Sequence, residues 1–430
     1  MKRSQIVTGL IAALAGVGVT AGLAPAPATQ PSPEIKALIA QLSSPDEATR
    51  TAAREKLVGM GDDARAALEA FVHSKSAAEA ALAQIDTNAV AEPTLITLNM
   101  KNADAEAVFT ALARQSRYDI ELFNQGGWNP ANLPKISITA DQRPFWEVFR
   151  EACSQAGLSL VNTGDDQRIF RLSPVRPGRH DMMKCPCSID KSFLLAATSL
   201  AGSGSVDLSH PENNRSTLSM QMTMLVEPKV RVIRYAAQPD IDEVVDNKGN
   251  SLKPDANYSR GYGMLRGIGG AMVVALKCPA NAGDRIASFR GKVRLTVQTR
   301  SEMLQMPDIV KARWVSKSVG GLKVTIKNVA RKSAYQYRVD ALFTRTTMKE
   351  AVFSQLLQTP SLRLVDADGH EYRYSGHSGG LTHGGGSYDV SMSFTRGNTD
   401  AGEPVKLVWV VPTDIQEIAV PFTFSDLPLP

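Results

Sequence analysis

Hydrophobic positions between residues 95 and 172 follow the two spacings of a small α/β domain. Ile96, Leu98 and Met100 alternate with polar residues, which predicts a half-buried strand. Val108 and Leu112 then lie on one face of a helical run that continues to about residue 116. A short apolar run follows, so this stretch predicts the order strand, helix, strand.

The same pattern is written a second time, 40 residues further on. The first copy begins Ile96-Thr-Leu-Asn-Met-Lys-Asn-Ala, and the second begins Ile136-Ser-Ile-Thr-Ala-Asp-Gln-Arg. Helices on one face of a small sheet would bury the apolar residues of both copies. Cys153 corresponds to Ala113 of the first copy, so we predict Cys153 to be a core residue.

This doubled stretch resembles a known module, the short N-terminal (STN) domain of secretins and TonB-dependent receptors. The resemblance rests on Ile96-Thr-Leu-Asn-Met-Lys-Asn-Ala-Asp-Ala-Glu-Ala-Val-Phe and on the strand–helix–strand that follows it, and it covers about residues 94–172. It implies a periplasmic protein-interaction module without catalytic residues. The rest of the chain has no secretin or receptor barrel pattern, so transport is not implied.

Residues 34–90 have helical spacing interrupted by glycine. Ile35, Leu38 and Leu42 form an apolar stripe, and Ser44 is predicted to cap the next helix. The run from Ser44 through Leu57 and Gly61 to Leu68 resembles about one and a half HEAT repeats. The resemblance implies helices that need a neighbour to bury their faces. A simple helical hairpin with no binding role is the alternative.

From about residue 173 the pattern changes to short apolar strands separated by Gly, Asn and Asp turns. Val244-Val-Asp-Asn-Lys-Gly matches Leu364-Val-Asp-Ala-Asp-Gly at a spacing of 120 residues. We therefore predict two related Ig-like β-sandwiches, at 175–307 and 308–430. The fold class is then multi-domain α+β: N-terminal helical hairpins, a duplicated β-α-β domain and two C-terminal sandwiches.

The first residues have the composition of an export signal. Met1-Lys-Arg is basic, Ile6 to Val19 is apolar, and small residues follow, so residues 1–28 are predicted to be a signal peptide and 29–33 a linker. A retained membrane anchor is the alternative. No membrane span is predicted after it, which indicates an exported, periplasmic or cell-envelope protein. The net charge of +5 over 430 residues is small and dispersed, which argues against nucleic acid as a partner.

Gly376-His-Ser378-Gly-Gly380 matches the G-x-S-x-G motif of serine hydrolases. That motif needs a helix after the serine, and the triad histidine should follow a later acidic residue. The sequence after Gly380 is poor in helix formers, and the last histidine is His383. We therefore favour a glycine-rich hairpin tip and keep a hydrolase using Ser378 as the alternative.

Two further groups could carry chemistry. His370, His377 and His383 could converge on a metal, although a glycine-rich loop fixes no geometry for them. His180 with Cys185 and Cys187 could form a metal or redox site, but a structural zinc site would need a second ligand pair. A disulfide from one of these cysteines to Cys278 is also open.

The sequence therefore predicts a non-enzymatic, exported cell-envelope protein that acts as a protein-interaction or scaffold module. We assign no catalytic, cofactor-binding or metal-binding residues and no cofactor. The partners would be envelope proteins. The alternatives are an extracytoplasmic serine hydrolase and a metal or redox protein.

Overall fold

The structure is a computed structural model. It describes residues 32–42, 44, 46–71, 76–123, 128–161, 169–175, 181–205, 208–209, 215–252, 254, 261–265, 267–279, 281–357, 361–382, 386–397 and 400–430. The predicted signal peptide lies outside the described residues. Within these ranges, every helix is too short or too polar to cross a membrane.

The helices concentrate in the first part of the chain. Their bounds are α1 Pro33–Gln41, α2 Glu47–Gly59, α3 Asp62–Phe71, α4 Ser76–Ala91, α5 Ala105–Ser116, α6 Phe145–Ala156 and α7 Glu350–Phe353. The chain divides into two compact units at residue 82, so α1, α2, α3 and the first part of α4 form the first unit. Its core includes Leu38, Leu57 and Leu68.

The N-cap of helix α2 lies two residues later in the chain than the predicted cap, Ser44. Its N-cap is Asp46, whose carboxylate accepts a hydrogen bond from the Thr49 N–H at 2.9 Å. Ser44 instead accepts from the Asp46 N–H at 3.2 Å. A carboxylate at the N-cap satisfies a free N–H of the first turn and also suits the positive end of the helix dipole.

The second unit is built mainly from strands. The strands between residues 95 and 263 are β1 Leu95–Ala103, β2 Ile120–Leu122, β3 Ile136–Pro144, β4 Leu158–Leu160, β5 Phe170–Pro174, β6 Cys187–Asp190, β7 Phe193–Ser205, β8 Arg215–Val226, β9 Arg231–Ala236, β10 Asp240–Asp246 and β11 Tyr262–Gly263. The later strands are β12 Gly269–Lys277, β13 Arg285–Pro307, β14 Val315–Val319, β15 Leu322–Ser333, β16 Gln336–Arg345, β17 Ser361–Asp366, β18 Glu371–Leu381, β19 Ser387–Arg396 and β20 Pro404–Pro428.

The doubled stretch forms a pair of matched units. Strands β1 and β3 pair antiparallel, with Leu98 opposite Ala140. The side chain of Gln115 hydrogen-bonds both backbone groups of Thr97, and Gln155 does the same to Ser137. Each of these positions is 40 residues from its counterpart, so the repeat in the sequence corresponds to a repeated three-dimensional unit.

The two helices of this unit differ in what covers them. On α6, Trp146 and Cys153 are fully buried, and the Arg150 guanidinium donates to the Met183 carbonyl at 3.0 Å. Residue 110 is the counterpart of Arg150, and Thr110 on α5 is exposed. The segment around Met183 therefore covers one copy of the repeat, while α5 keeps an outer polar face.

A four-stranded sheet joins the doubled unit to the β-rich part. Its order is β12-β8-β7-β6. In β7, Leu194 and Ala196 face the core that contains α6, while Phe193 and Leu195 face the next core. A sheet buried on both faces needs a continuous apolar run rather than alternation, which explains the sequence Phe-Leu-Leu-Ala-Ala in β7.

The longest strands, β13 and β20, pair antiparallel along their whole length, from Arg285 opposite Pro428 to Pro307 opposite Lys406. They belong to an 11-stranded sheet of the described residues, in the order β11-β9-β13-β20-β17-β18-β19-β16-β15-β14, with β10 also on β13. At ~3.4 Å per residue the ribbon is roughly 75 Å long.

This ribbon passes through two separate hydrophobic cores, and we call the part of the chain packed around each core a lobe. The core of the first lobe contains Val293 from β13 and Phe422 from β20, and the core of the second lobe contains Leu304 from β13 and Trp409 from β20. The predicted boundary at residue 307 placed the whole of 308–430 in one sandwich. The structure instead returns the C-terminal residues, including Phe422, to the first lobe, because β20 continues along β13 on both sides of an irregularity in their register at residues 298–301.

The two lobes share a turn at the predicted spacing of 120 residues. Asp246 accepts hydrogen bonds from the backbone N–H groups of Lys248, Asn250 and Gly283, at 2.9, 2.7 and 2.6 Å. Asp366 accepts the corresponding bonds from Asp368, His370 and Gly402, at 3.0, 2.7 and 2.7 Å. The structure is mostly β, with a few N-terminal helices and large antiparallel sheets, which is loosely consistent with the α+β class.

Candidate functional site

The glycine-rich segment lies inside a strand rather than at a hairpin tip. Gly376 to Gly380 belong to β18, and the next element is the antiparallel strand β19. Ser378 therefore stands opposite Ser391 in an antiparallel ladder, after a register irregularity between Tyr374 and Gly376. A nucleophile elbow places its serine on a sharp turn before a helix. The local geometry of Ser378 differs from that arrangement.

Ser378 lines a shallow groove of about 570 Å³ on the outer face of the second lobe. The groove crosses β15, β16, β19 and β18. The residues that line it are Trp314, Lys327, Asn328, Arg338, Asp340, Ser378, Gly379, Asp389, Val390 and Ser391. We call this feature the Trp314 groove.

Strand alternation produces the groove's polar surface. Val339 and Val390 point into the core of the second lobe, so their neighbours along the strands point outward. The register places Asn328 opposite Asp340, and Asp340 opposite Ser391. With Ser378 opposite Ser391, four polar side chains form a row across four strands.

The charges in the groove are paired with one another. Lys327 Nζ lies 3.0 Å from each carboxylate oxygen of Asp389, and Arg338 Nε lies 2.9 Å from Asp340 Oδ1. Partial burial by itself would raise the pKa of Asp340, but hydrogen bonds from Ser391, Arg338 and Asn328 outweigh it and lower the pKa. The groove is therefore polar but locally neutral near pH 7.

An exposed aromatic side chain forms one end of the groove. Trp314 is 68% exposed, and its backbone has a φ of 56°. A positive φ is an outlier for so bulky a residue. Lys327 Nζ lies 5.9 Å from the centre of the indole ring. Sequence reasoning missed Trp314, because nothing in its local pattern distinguishes it from a core tryptophan.

The histidines predicted as possible metal ligands have separate partners. His370 Nδ1 lies 3.1 Å from Asp366 Oδ2, and His377 Nδ1 is hydrogen-bonded to the Tyr374 hydroxyl. His383 lies outside the described residues. Asp366, Asp368 and His370 are close enough to hold a cation. However, both oxygens of Asp366 already accept backbone N–H groups, as Asp246 does in the other lobe, which is typical of a structural turn.

The cysteines are free thiols in the structure. Cys153 is fully buried, and burial raises the pKa of its thiol. Cys185 and Cys187 are half-buried, and burial likewise raises the pKa of each. Raised thiol pKa values disfavour the thiolate that redox and metal chemistry require. His180 lies outside the described residues.

A disulfide from Cys187 to Cys278, which the sequence left open, conflicts with the strand register. Cys187 pairs with Ala196, Ala196 with Thr223, and Thr223 with Ala271. Cys278 lies seven residues beyond Ala271 in the chain. Cys187 and Ala271 are three strand spacings apart across the sheet, and Cys278 lies a further seven residues along the chain. Together these separations place the Cα atoms of Cys187 and Cys278 more than about 20 Å apart. A disulfide requires less than about 7 Å.

A buried carboxylate joins the doubled unit to the β-rich part. The Glu227 side chain is fully buried and accepts hydrogen bonds from the Tyr118 hydroxyl at 2.7 Å and the Thr94 N–H at 3.1 Å. Lys229 Nζ lies 3.7 Å from it. Burial raises the pKa of Glu227. We interpret this cluster as structural, because other side chains cover it completely.

Comparison with known proteins gives no family for this chain. No family model matches it, and no curated protein matches it either. One solved structure is similar, described as the crystal structure of the conserved domain protein from Bacillus anthracis. It is 12% identical, covers 56% of this chain and 89% of its own, and has a TM-score of 0.17, which supports no assignment of fold or function.

Proposed function

We propose that this chain is a non-enzymatic, exported cell-envelope protein that acts as a protein-interaction or scaffold module. One observation carries the proposal: the doubled unit and the two lobes are joined into one body by continuous structure. The first part of β7 is buried on both faces, with Leu194 in the core around α6 and Leu195 in the core of the first lobe, and the β13–β20 ribbon runs through both lobes. A scaffold needs this property, because it must hold binding surfaces at fixed distances.

The individual modules are proposed as follows. Residues 34–90 are HEAT-like, residues 94–172 are STN-like, and the two lobes are Ig-like sandwiches that exchange their last strand. The matched hydrogen bonds of Gln115 and Gln155 support a duplicated interaction domain. The matched turns at Asp246 and Asp366 support two related lobes.

The proposed export from the cytoplasm rests on the N-terminal sequence. Met1-Lys-Arg, the apolar run from Ile6 to Val19 and the small residues after it have the order of a secretory signal. Fractionation of cells that express the full chain tests it. Recovery of the protein in the cytosol, with the first 28 residues retained, would refute export.

The outer face of α5 is the proposed interaction surface. A shallow depression of about 820 Å³ lies along it, lined by residues that include Glu106, Thr110 and Arg114. On α6 the corresponding face is covered by the chain's own segment around Met183, to which Arg150 is bonded. The outer face of α5 is exposed, whereas the same face of α6 is covered by another segment of the chain. This difference supports the proposal that a partner protein binds the outer face of α5.

Site-specific photocrosslinking in intact cells tests the interaction role. A photoreactive amino acid is placed at Thr110, and a matched control is placed at Ser354, which is also exposed but lies in the second lobe. A reproducible adduct at Thr110 that is missing at Ser354 supports a dedicated partner. The same diffuse set of abundant neighbours at both positions would rule out this role.

A further inference from the structure

We propose that the Trp314 groove is a binding site for a neutral oligosaccharide. The proposal rests on the proposed function, since it treats the chain as a binding protein rather than an enzyme. The groove lies wholly within the second lobe, and its volume of about 570 Å³ falls in the range typical of small-ligand clefts.

Trp314 provides the apolar contact that such a ligand needs. A pyranose ring has an apolar face of C–H groups, and an indole is a large flat surface for it to stack on. At 68% exposure, most of that surface is open. Backbone strain persists where the surroundings enforce it and often lies at binding sites. The φ of 56° at Trp314 is such an outlier.

The polar row provides the hydrogen bonds. Asn328, Asp340, Ser391 and Ser378 follow one another across four strands that are ~4.8 Å apart, so the row is about 14 Å wide. Amide and hydroxyl groups both donate to and accept from sugar hydroxyls, and an ionised carboxylate accepts from them. The row therefore matches a ligand that carries hydroxyl groups along its length.

The charge balance excludes other ligand classes. Lys327 is paired with Asp389 and Arg338 with Asp340, so the four charges sum to zero. A nucleic acid or another polyanion would need unpaired cations. The cores of protein interfaces are depleted of charged residues, whereas this groove has four. A neutral, hydroxyl-rich ligand fits both facts.

Gly379 lines the groove and leaves no room for a side chain. A Cβ at Gly379 would lie 2.2 Å from the Asp389 carbonyl oxygen. Glycine inside a strand often marks a place where a ligand approaches the backbone. Ser378 and Gly379 thus have a role in the groove that needs no nucleophile.

Isothermal titration of the full chain with cellotetraose, maltotetraose and chitotetraose tests the proposal, with a heparin tetrasaccharide as the charged control. We expect at least one neutral tetrasaccharide to bind, with little change in affinity between low and high salt. Binding should also protect Trp314 from acrylamide quenching. Trp314→Ala should weaken binding about tenfold or more, which corresponds to about 1.4 kcal/mol.

A leucine inside the groove and a leucine outside it provide an independent control. Ser378→Leu should block the groove and abolish binding, whereas Ser354→Leu, at an exposed position outside the groove, should bind as the unchanged chain does. No binding of any neutral tetrasaccharide at millimolar concentration, or binding that Trp314→Ala and Ser378→Leu leave unchanged, would overturn the proposal. Tighter binding of the heparin fragment would also overturn it. Photocrosslinking at Thr110 is a separate experiment, so failure of the groove and failure of the interaction role are distinguishable.

Discussion

Removal of the Glu227 carboxylate should loosen the junction between the doubled unit and the β-rich part. The side chain is fully buried and accepts from the Tyr118 hydroxyl and the Thr94 N–H. In Glu227→Ala both donors lose this acceptor. A buried donor without its partner costs about 1–3 kcal/mol, and Tyr118 keeps a contact to Thr94 Oγ1. We therefore expect the free energy of unfolding to fall by about 3 kcal/mol.

Glu227→Gln separates the charge from the hydrogen bonds. The amide oxygen can still accept from the Thr94 N–H, and the amide nitrogen can donate to the Tyr118 oxygen. The loss of stability should therefore be below about 1.5 kcal/mol near pH 7, because the core keeps its volume and most of its hydrogen bonds.

The same variant should change the pH dependence of stability. Burial raises the pKa of Glu227 in the folded state above its ordinary value of 4.5. The folded state thus binds this proton more tightly than the unfolded state. The resulting stabilisation is fully present below about pH 4 and is lost as the pH rises through the folded-state pKa. Glu227→Gln should lack this decline.

Urea unfolding at several pH values measures both effects. Trp146 is a local reporter, because its Nε1 donates to the Ser192 carbonyl at 3.0 Å and its ring is fully buried. Glu121→Ala is the matched control, since Glu121 is half-exposed in its ion pair with Arg171. A loss for Glu227→Ala no larger than that for Glu121→Ala would refute the reasoning.

Three further predictions follow from local geometry. Gly379→Ala should lower stability by about 1–3 kcal/mol in urea unfolding, since φ is 111° there, whereas Gly380→Ala should change it by less than about 0.5 kcal/mol. Burial alone would raise the pKa of Asp246, but its hydrogen bonds outweigh burial and lower this pKa to about 2. The ionised carboxylate therefore stabilises the fold above about pH 4, and this stabilisation is lost as the pH falls to about 2. Asp246→Asn should remove this pH dependence and flatten the acid-unfolding curve between about pH 4 and 2. Peptide mapping under non-reducing conditions should find no Cys187–Cys278 link in folded protein, and such a link would contradict the strand register.

Local patterns in the sequence were sufficient for the elements and their repeats. The alternation of Ile96, Leu98 and Met100 predicts β1, and the 40-residue spacing predicts the unit around α6. The prediction of Cys153 as a core residue is consistent with its complete burial. These predictions depend on backbone preference and on the periodicity of apolar residues, which act over a few residues at a time.

Local patterns were misleading where burial depends on distant partners. Glu227, next to Pro228, has the sequence context of an exposed turn, yet Tyr118 and Thr94 cover it from more than 100 positions away in the chain. The Gly376–Gly380 segment was interpreted as a hairpin tip, because glycine usually marks turns. Pairing with β19 makes it part of a strand.

The sequence by itself determined the first strands and helices of the doubled stretch, the two internal repeats and the change from helices to a β-rich part. The tertiary structure alone decided that β20 runs along all of β13, that Phe422 returns to the first lobe, and that Trp314 lies beside the polar row. The physical reason is the range of the interactions. Turns and amphipathic periods are set by neighbouring residues, whereas strand pairing and groove formation depend on contacts between residues far apart in the chain.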